Sequence, residues 1–309
     1  TRAELARGKG RLDNLLLPVE VFHRDTNAFE TAGSISLNGT LTGDSGALQL
    51  RIEDLDLMAA ERALPGRVSM PAGLLSLQAN LTGSLDAPAL DASANVQLED
   101  LGYLAARVFG RPRAWNGTAT WVTPVEDSLQ VTGSAPTVNI WPKWDELTLR
   151  ARSAGIDLLP LLDQVPDLEN LNGFVRLDVT GDSLLTNPRF TGRLDVEDLE
   201  FALLDVSPGY RFAKGRIEFS ERSEGGSHAQ LEDFSGKTTH GHGVLQLSGF
   251  FDLLPGGDTD FSVQLMGDNV HYEYDDFFTA PDIDLDLTLR RQERGTILEG
   301  QVNLTGPFT

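Results

Sequence analysis

Apolar and polar residues alternate one for one through most of this chain, and few folds accept that period. Val175, Leu177 and Val179 are separated by Arg176, Asp178 and Thr180. After a turn at 181–188, Phe190, Leu194 and Val196 share one parity, with Thr191, Arg193 and Asp195 between them. Successive side chains of a strand point to opposite faces, so residues 173–201 read as strand, turn and strand with one apolar and one wet face. Pro188 disfavours helix at Asn187 and cannot donate to a ladder, which makes 182–188 a loop.

The same pattern recurs along the chain. Leu75, Leu77, Ala79 and Leu81 oppose Ser76, Gln78 and Asn80, and Leu90, Ala92, Ala94, Val96 and Leu98 oppose Asp91, Ser93, Asn95 and Gln97. Near the end, Ile283, Leu285, Leu287 and Leu289 alternate with Asp282, Asp284, Asp286 and Arg290. Equal intervals separate Gly83 from Leu101 and Gly181 from Leu199, and Glu99-Asp100-Leu101 matches Glu197-Asp198-Leu199, with a shorter version closing at Glu53-Asp54-Leu55. An apolar residue, then Thr or Ser, then Gly ends six segments, at Gly43, Gly83, Gly133, Gly181, Gly249 and Gly306. Glycine there permits a positive φ at a strand end. The intervals are uneven, which excludes a tight repeat and suits a β-array with insertions.

These signals predict an all-β chain: an antiparallel array of irregular repeats with few short helices. Residues 1–32 form a weakly patterned lead-in containing one strand at 19–22. Residues 33–309 form a continuous array with a sub-boundary near 154–172. Short helical turns are expected at 54–64 and 101–110, and a helical or irregular piece at 156–171, broken by Pro160 and Pro166. The segment holding Trp115, Trp121, Trp141 and Trp144 still reads as strands.

Composition narrows the function. The formal net charge of -21 opposes nucleic acid, whose binding needs Lys and Arg to neutralise phosphates, and simple docking on an anionic membrane surface. The absence of cysteine removes disulfides, thiolate metal sites and thiol nucleophiles, and is compatible with cytosol or bacterial periplasm. No run of about 18 apolar residues could span a bilayer as a helix. Both ends read as cut within a pattern, as expected of a segment of a longer protein.

No motif carries catalysis. There is no phosphate loop, nucleophile elbow or zinc-protease helix. His240 and His242, with His228, fix no third metal ligand by spacing and read as exposed loop histidines. The Asp282, Asp284 and Asp286 ladder could be weighed as a Ca²⁺ site, but it reads as a charged outer face that discourages edge pairing. Glu273, Asp275 and Asp276 read as a solvated loop. Asn38, Asn80, Asn116 and Asn303 head Asn-x-Thr matches that polar strand positions explain. No cofactor, metal or enzymatic activity is expected.

What remains is the apolar face, which something must cover. The residues leave two coverings open: the sheet folds over itself as a sandwich or barrel, or it stays partly open around an apolar ligand. The ordered series IDLLPLLDQVPDL, LNGFVRLDVTG, a loop ending in Pro and VEDLEF resembles the TamB family, part of the AsmA-like group of envelope proteins. FAKGRIEF, QLEDFSGK, GHGVLQLSG, DFSVQLMGDNVHY, IDLDLTL and LEGQVNLTG extend the likeness over residues 33–306.

That resemblance implies an elongated, twisted β-sheet folded into a taco-like groove with a hydrophobic interior. It also implies a periplasmic bridge, anchored in the inner membrane by a segment outside this one, that gives phospholipids passage between the two membranes and supports outer-membrane biogenesis. A BamA-like outer-membrane barrel would be the partner, reached through regions outside this segment. Acyl chains would then line up against Leu75, Leu77, Leu81, Val175, Leu177, Val179, Leu194, Val196, Leu245, Leu247, Leu285, Leu287 and Leu289. The alternatives are a β-rich scaffold or chaperone for outer-membrane proteins, or a closed β-sandwich array of adhesin type.

Overall fold

The computed structural model describes residues 2–6, 9–23, 28–58, 72–84, 87–111, 114–138, 141–164, 168–183, 187–203, 206–239, 243–255, 258–274, 278–292 and 295–304. Among them are nineteen strands and two short 3-10 helices, so the all-β, antiparallel class read from the alternation is what the chain adopts. The strands group into two compact units, Thr1–Glu126 with Gln130–Leu147, and Asp127–Leu129 with Thr148–Thr309.

The first unit holds β1 (Arg2–Ala6), β2 (Lys9–His23), β3 (Ala28–Thr42), β4 (Ser45–Asp56), β5 (Gly73–Ser84), β6 (Ala87–Leu98), β7 (Gly102–Arg111), β8 (Ala114–Val122), most of β9 (Ser128–Val138) and β10 (Trp141–Pro142). Strands β1 to β8 pair in chain order, each antiparallel to the next. The lead-in is therefore part of the sheet: β2 runs from Lys9 and pairs with β3 along most of its length. The second unit holds β11 (Thr148–Asp157), β12 (Leu168–Asp182), β13 (Arg189–Leu203), β14 (Val206–Glu221), β15 (Ser227–Thr238), β16 (Val244–Leu253), β17 (Thr259–Tyr274), β18 (Phe278–Gln292) and β19 (Gly295–Leu304), again paired in chain order. Neither unit closes into a barrel among the described strands.

Two helical expectations change. Residues 102–111 form β7, because Leu104, Ala106 and Val108 pair across both neighbours with Val96, Ala94 and Ala92 and with Trp121, Ala119 and Gly117. Two flanking strands override the helix preference of Leu and Ala. Residues 54–56 finish β4, Leu57 and Met58 are helical, and 59–64 lie outside the described residues. The Pro-broken stretch is a 3-10 helix over Leu159–Gln164, between β11 and β12.

The repeated Glu-Asp-Leu has two structures. At 53–55 and 197–199 it is a bulge inside a strand, with Asp54 and Asp198 in the left-handed region at φ 48°. At 99–101 it is the turn between β6 and β7. Asp233 (φ 58°) and Asn269 (φ 51°) make further bulges in β15 and β17, where register slips between Leu231 and Phe234 and between Gly267 and Val270. Asp and Asn tolerate this region better than most residues, and each bulge bends its strand. A glycine faces two of them: a Cβ on Gly33 would stand 2.7 Å from Leu55 Cα, and one on Gly173 2.8 Å from Leu199 Cα. The Thr-Gly or Ser-Gly marks are less uniform than expected. Gly43 and Gly83 take positive φ near strand ends, Gly249 does so inside β16, Gly133 and Gly181 lie inside β9 and β12 without it, and Gly306 is outside the described residues.

Packing is uneven. The hydrophobic cluster lies in the second unit: Val196, Phe212, Phe234, Leu245 and Val270, with Phe201, Tyr210, Ile217 and Leu265 against it. Aromatic rings here sit over glycines of adjacent strands. A Cβ on Gly215 would meet Phe234 Cε1 at 2.2 Å, and one on Gly236 would meet Phe212 Cδ1 at 2.7 Å. Phe212 and Phe234 meet edge to face at 6.5 Å, and Phe201 stacks on Phe212 at 6.3 Å. Phe234→Ala empties the space over Gly215 and is expected to cost about 3–5 kcal/mol, read as a lowered denaturant midpoint of the second unit. An unchanged midpoint would show that the ring carries no packing role.

Candidate functional site: an apolar sheet face

Cross-strand register places the alternating apolar residues of each unit on one face. In the first unit, Leu75, Leu77 and Leu81 lie opposite Leu55, Ile52 and Leu48 on one side and Val96, Ala94 and Leu90 on the other. None of Leu48, Leu50, Ile52, Leu75, Leu77 or Leu81 is buried, and Leu48 and Leu81 are 41% and 40% exposed. Trp121 ends this face and donates its indole N–H to the Leu101 carbonyl at 2.6 Å.

In the second unit the row is longer. Val175, Leu177 and Val179 oppose Val196, Leu194 and Gly192, which oppose Gly215, Ile217 and Phe219. Phe219 faces Ala229, then Phe251, then Phe261; Leu245 and Leu247 face Gly267 and Leu265, which face Leu285 and Leu287. Leu289 stands between Val263 and Leu298. All ten residues expected here lie on this face, but their surroundings differ. Val196 and Leu245 are 7% and 3% exposed inside the packed cluster, so they act as core. Val175, Leu177, Val179, Leu194, Leu247, Leu285 and Leu287 are half-buried, and Leu289 is 40% exposed.

The unevenness follows from how the sheet curls. Beyond the short β15–β16 hairpin, the start of β14 pairs directly with the end of β17, Val206 with Tyr274 and Ser207 with Glu273. The packed cluster lies toward that end. At the opposite ends of the same strands the face opens into an apolar cavity of 260 Å³ lined by Val179, Phe190, Phe219, Ser227, Ala229, Phe251 and Leu253. Ser227, buried there, accepts from the Phe190 amide at 2.6 Å and donates to the Pro188 carbonyl at 3.1 Å, tying β15 to the start of β13. Its hydroxyl is thus satisfied, and the cavity wall is otherwise hydrocarbon.

Of these cavity residues, Phe219, Ser227, Ala229, Phe251 and Leu253 were outside the sequence expectation. The alternation through RIEF and HAQL carried the signal for Phe219 and Ala229. Phe250-Phe251 gave none, because two adjacent phenylalanines fit either parity. Phe251 faces the cavity, and Phe250 stacks on His228 on the other face at 5.7 Å.

The opposite face is polar and ion-paired. Arg150 and Arg152 share Asp178 at 3.0 and 3.1 Å, Arg176 meets Glu197 at 2.7 Å, and Arg216 meets Asp195 at 2.6 Å. Exposed pairs of this kind contribute roughly 0–1 kcal/mol each, so their main effect is to keep this face wet and the register fixed. Hydrogen bonds from Arg150 and then Arg152 hold the Asp178 carboxyl at about 2, below the ordinary carboxylate value.

His228 belongs to this face as a strand residue rather than to an exposed loop. It lies in a cross-strand row with Ser220 and Asp252. Its Nδ1 is 2.6 Å from Asp252 Oδ1, and its Nε2 faces Gln230 Oε1 at 3.3 Å. Arg222 completes the pairing of the buried Asp252. His240 and His242 lie outside the described residues, as do the side chains of Asp282 and Glu273 and all of Asp275 and Asp276. Asp284 accepts from the Asn269 amide at 3.0 Å and Asp286 from Gln264 at 2.6 Å. Among the described residues no His, Asp and Glu cluster could hold a metal, and no helix is long and apolar enough to cross a membrane.

No family model, curated protein or solved structure matches the chain.

The Asp178 arrangement has a pH signature. A carboxyl depressed on folding stabilises above its unfolded value, and that contribution is lost as pH falls through the folded one. Acid unfolding between about pH 4 and pH 2 should therefore be less steep in Asp178→Asn than in the parent chain. Identical acid titrations, followed by circular dichroism, would show that the two arginines do not hold the carboxylate.

Proposed function

We propose that this chain is a non-enzymatic segment of a bridge-like lipid-transfer protein of the bacterial envelope, carrying phospholipid acyl chains along the apolar face of its sheets. The observation that supports it most directly is that face itself: rows of Leu, Val and Phe in register, left half-exposed along most of their length. Exposed apolar areas of this extent mark a binding surface more often than bare solvent contact. Each methylene laid against it recovers about 0.8 kcal/mol, while a headgroup can stay in water. The wall offers hydrocarbon and almost no polar partner, which suits a chain that must slide rather than one held in a single pose. The resemblance to TamB-like proteins favours the same reading and adds a periplasmic location and an outer-membrane barrel partner reached elsewhere in the full protein.

Photo-crosslinking in cells tests it. A photoreactive side chain at Leu177 or Leu247 should give phospholipid adducts, and one at Asp178 or Gln246 on the polar face should not. Equal yields at all positions would sink the proposal, and peptide adducts in place of lipid would favour a scaffold for outer-membrane protein strands. Leu177→Arg should abolish lipid passage while the far-ultraviolet spectrum stays that of a folded sheet, because Leu177 is half-buried and its charge can reach water.

A further inference from the structure

We infer that the contact between β14 and β17 is a gate across the apolar face of the second unit, an inference that rests on the lipid-carrying reading above. The face is continuous in register from β12 to β19, yet it is not uniformly available. Around β14 to β17 it is filled by the chain's own side chains: Phe201, Tyr210, Phe212 and Phe234 with Val196, Leu245 and Val270. Leu245 at 3% exposure and Leu289 at 40% lie on the same face two strands apart, Leu289 four residues along β18 from Leu285, which shares the cross-strand row of Leu245. An acyl chain crossing this part of the face must displace that packing.

The clasp above the cluster is slight. β14 and β17 are separated by two strands along most of their length and meet only past the end of the β15–β16 hairpin. Among the described residues they do so at Val206–Tyr274 and Ser207–Glu273. The Thr239 amide donates to the Gly209 carbonyl at 2.8 Å beside them. By contrast, β16 and β17 pair without interruption from Val244–Asp268 to Leu253–Thr259. Local opening is easiest where few backbone bonds resist it, so the clasp can part while the ladder beneath it holds. The bulges at Asp233 and Asn269 mark where β15 and β17 bend. Parting it would let Phe212 and Phe234 swing off Gly236 and Gly215, joining the open face on the β12 side to that on the β18 side.

The absence of native cysteine makes the test clean. In a Ser207→Cys, Glu273→Cys double variant the two thiols sit at directly paired positions, a separation a disulfide can span. With a photoreactive side chain at Leu265, phospholipid adducts should form in the reduced protein, be lost on oxidation and return with reductant. Adducts at Leu289, outside the clasp, should be unaffected. Equal yields at Leu265 in both states would overturn the gate while leaving the lipid-carrying face intact. No adduct at either position in the reduced state would overturn both. Hydrogen exchange on the unsubstituted chain gives a second reading: the Ser207 and Tyr274 amides should exchange well before those of Leu247 and Leu265. Exchange of all four at one common rate would make the clasp a fixed part of the fold and end the proposal.

Discussion

An antiparallel sheet with one apolar face must hide that face, and among the described residues no second layer of helices does so. Everything distinctive in the structure answers that requirement. Bulges at Asp198, Asp233 and Asn269 bend the strands of the second unit, the β14–β17 pairing draws four of them together, and aromatic rings fill the space over Gly215 and Gly236. Yet the cover is partial. The aromatic cluster is confined to one end of the face, and Leu177, Leu247, Leu289 and their neighbours on that face stay partly in water. Moving such a side chain from full exposure to full burial is worth about 1.5–3 kcal/mol, so a ligand that covers the part still exposed recovers a share of that.

The polar face answers a different requirement. Its arginines and carboxylates contribute little stability pair by pair, but they make the two faces unmistakable. A one-residue slip would drive Arg150, Arg176 and Arg216 into the apolar side, so the charge pattern enforces the same register that the leucines choose. The negative net charge then keeps so much exposed hydrocarbon soluble.

Strand content, antiparallel order and face assignment were legible in the sequence because a period of two is a direct image of the pleat. The thirteen leucines and valines singled out from that period lie on the apolar faces in the expected parity. Three things were not legible. The helix expected at 101–110 failed because its propensity was local and the pairing with β6 and β8 was not. Glu-Asp-Leu looked like a single device, but whether Asp bends a strand or opens a turn depends on what the neighbouring strand does, and only the former sets a glycine such as Gly33 or Gly173 against it. The difference between Val196 and Leu177, core against open face, rests on curl, which depends on bulges and on a pairing between strands that are not consecutive. Alternation within one strand holds no record of either.

On the function proposed above, lipid, not protein, covers the open part of this face. Native mass spectrometry of the chain, purified from a bacterial envelope without detergent, tests that most directly. Masses above the polypeptide by whole phospholipids are expected, recovered by organic extraction and missing from Leu177→Arg. A lipid-free polypeptide mass from the same preparation, with the apolar face inaccessible to a hydrophobic dye, would contradict it.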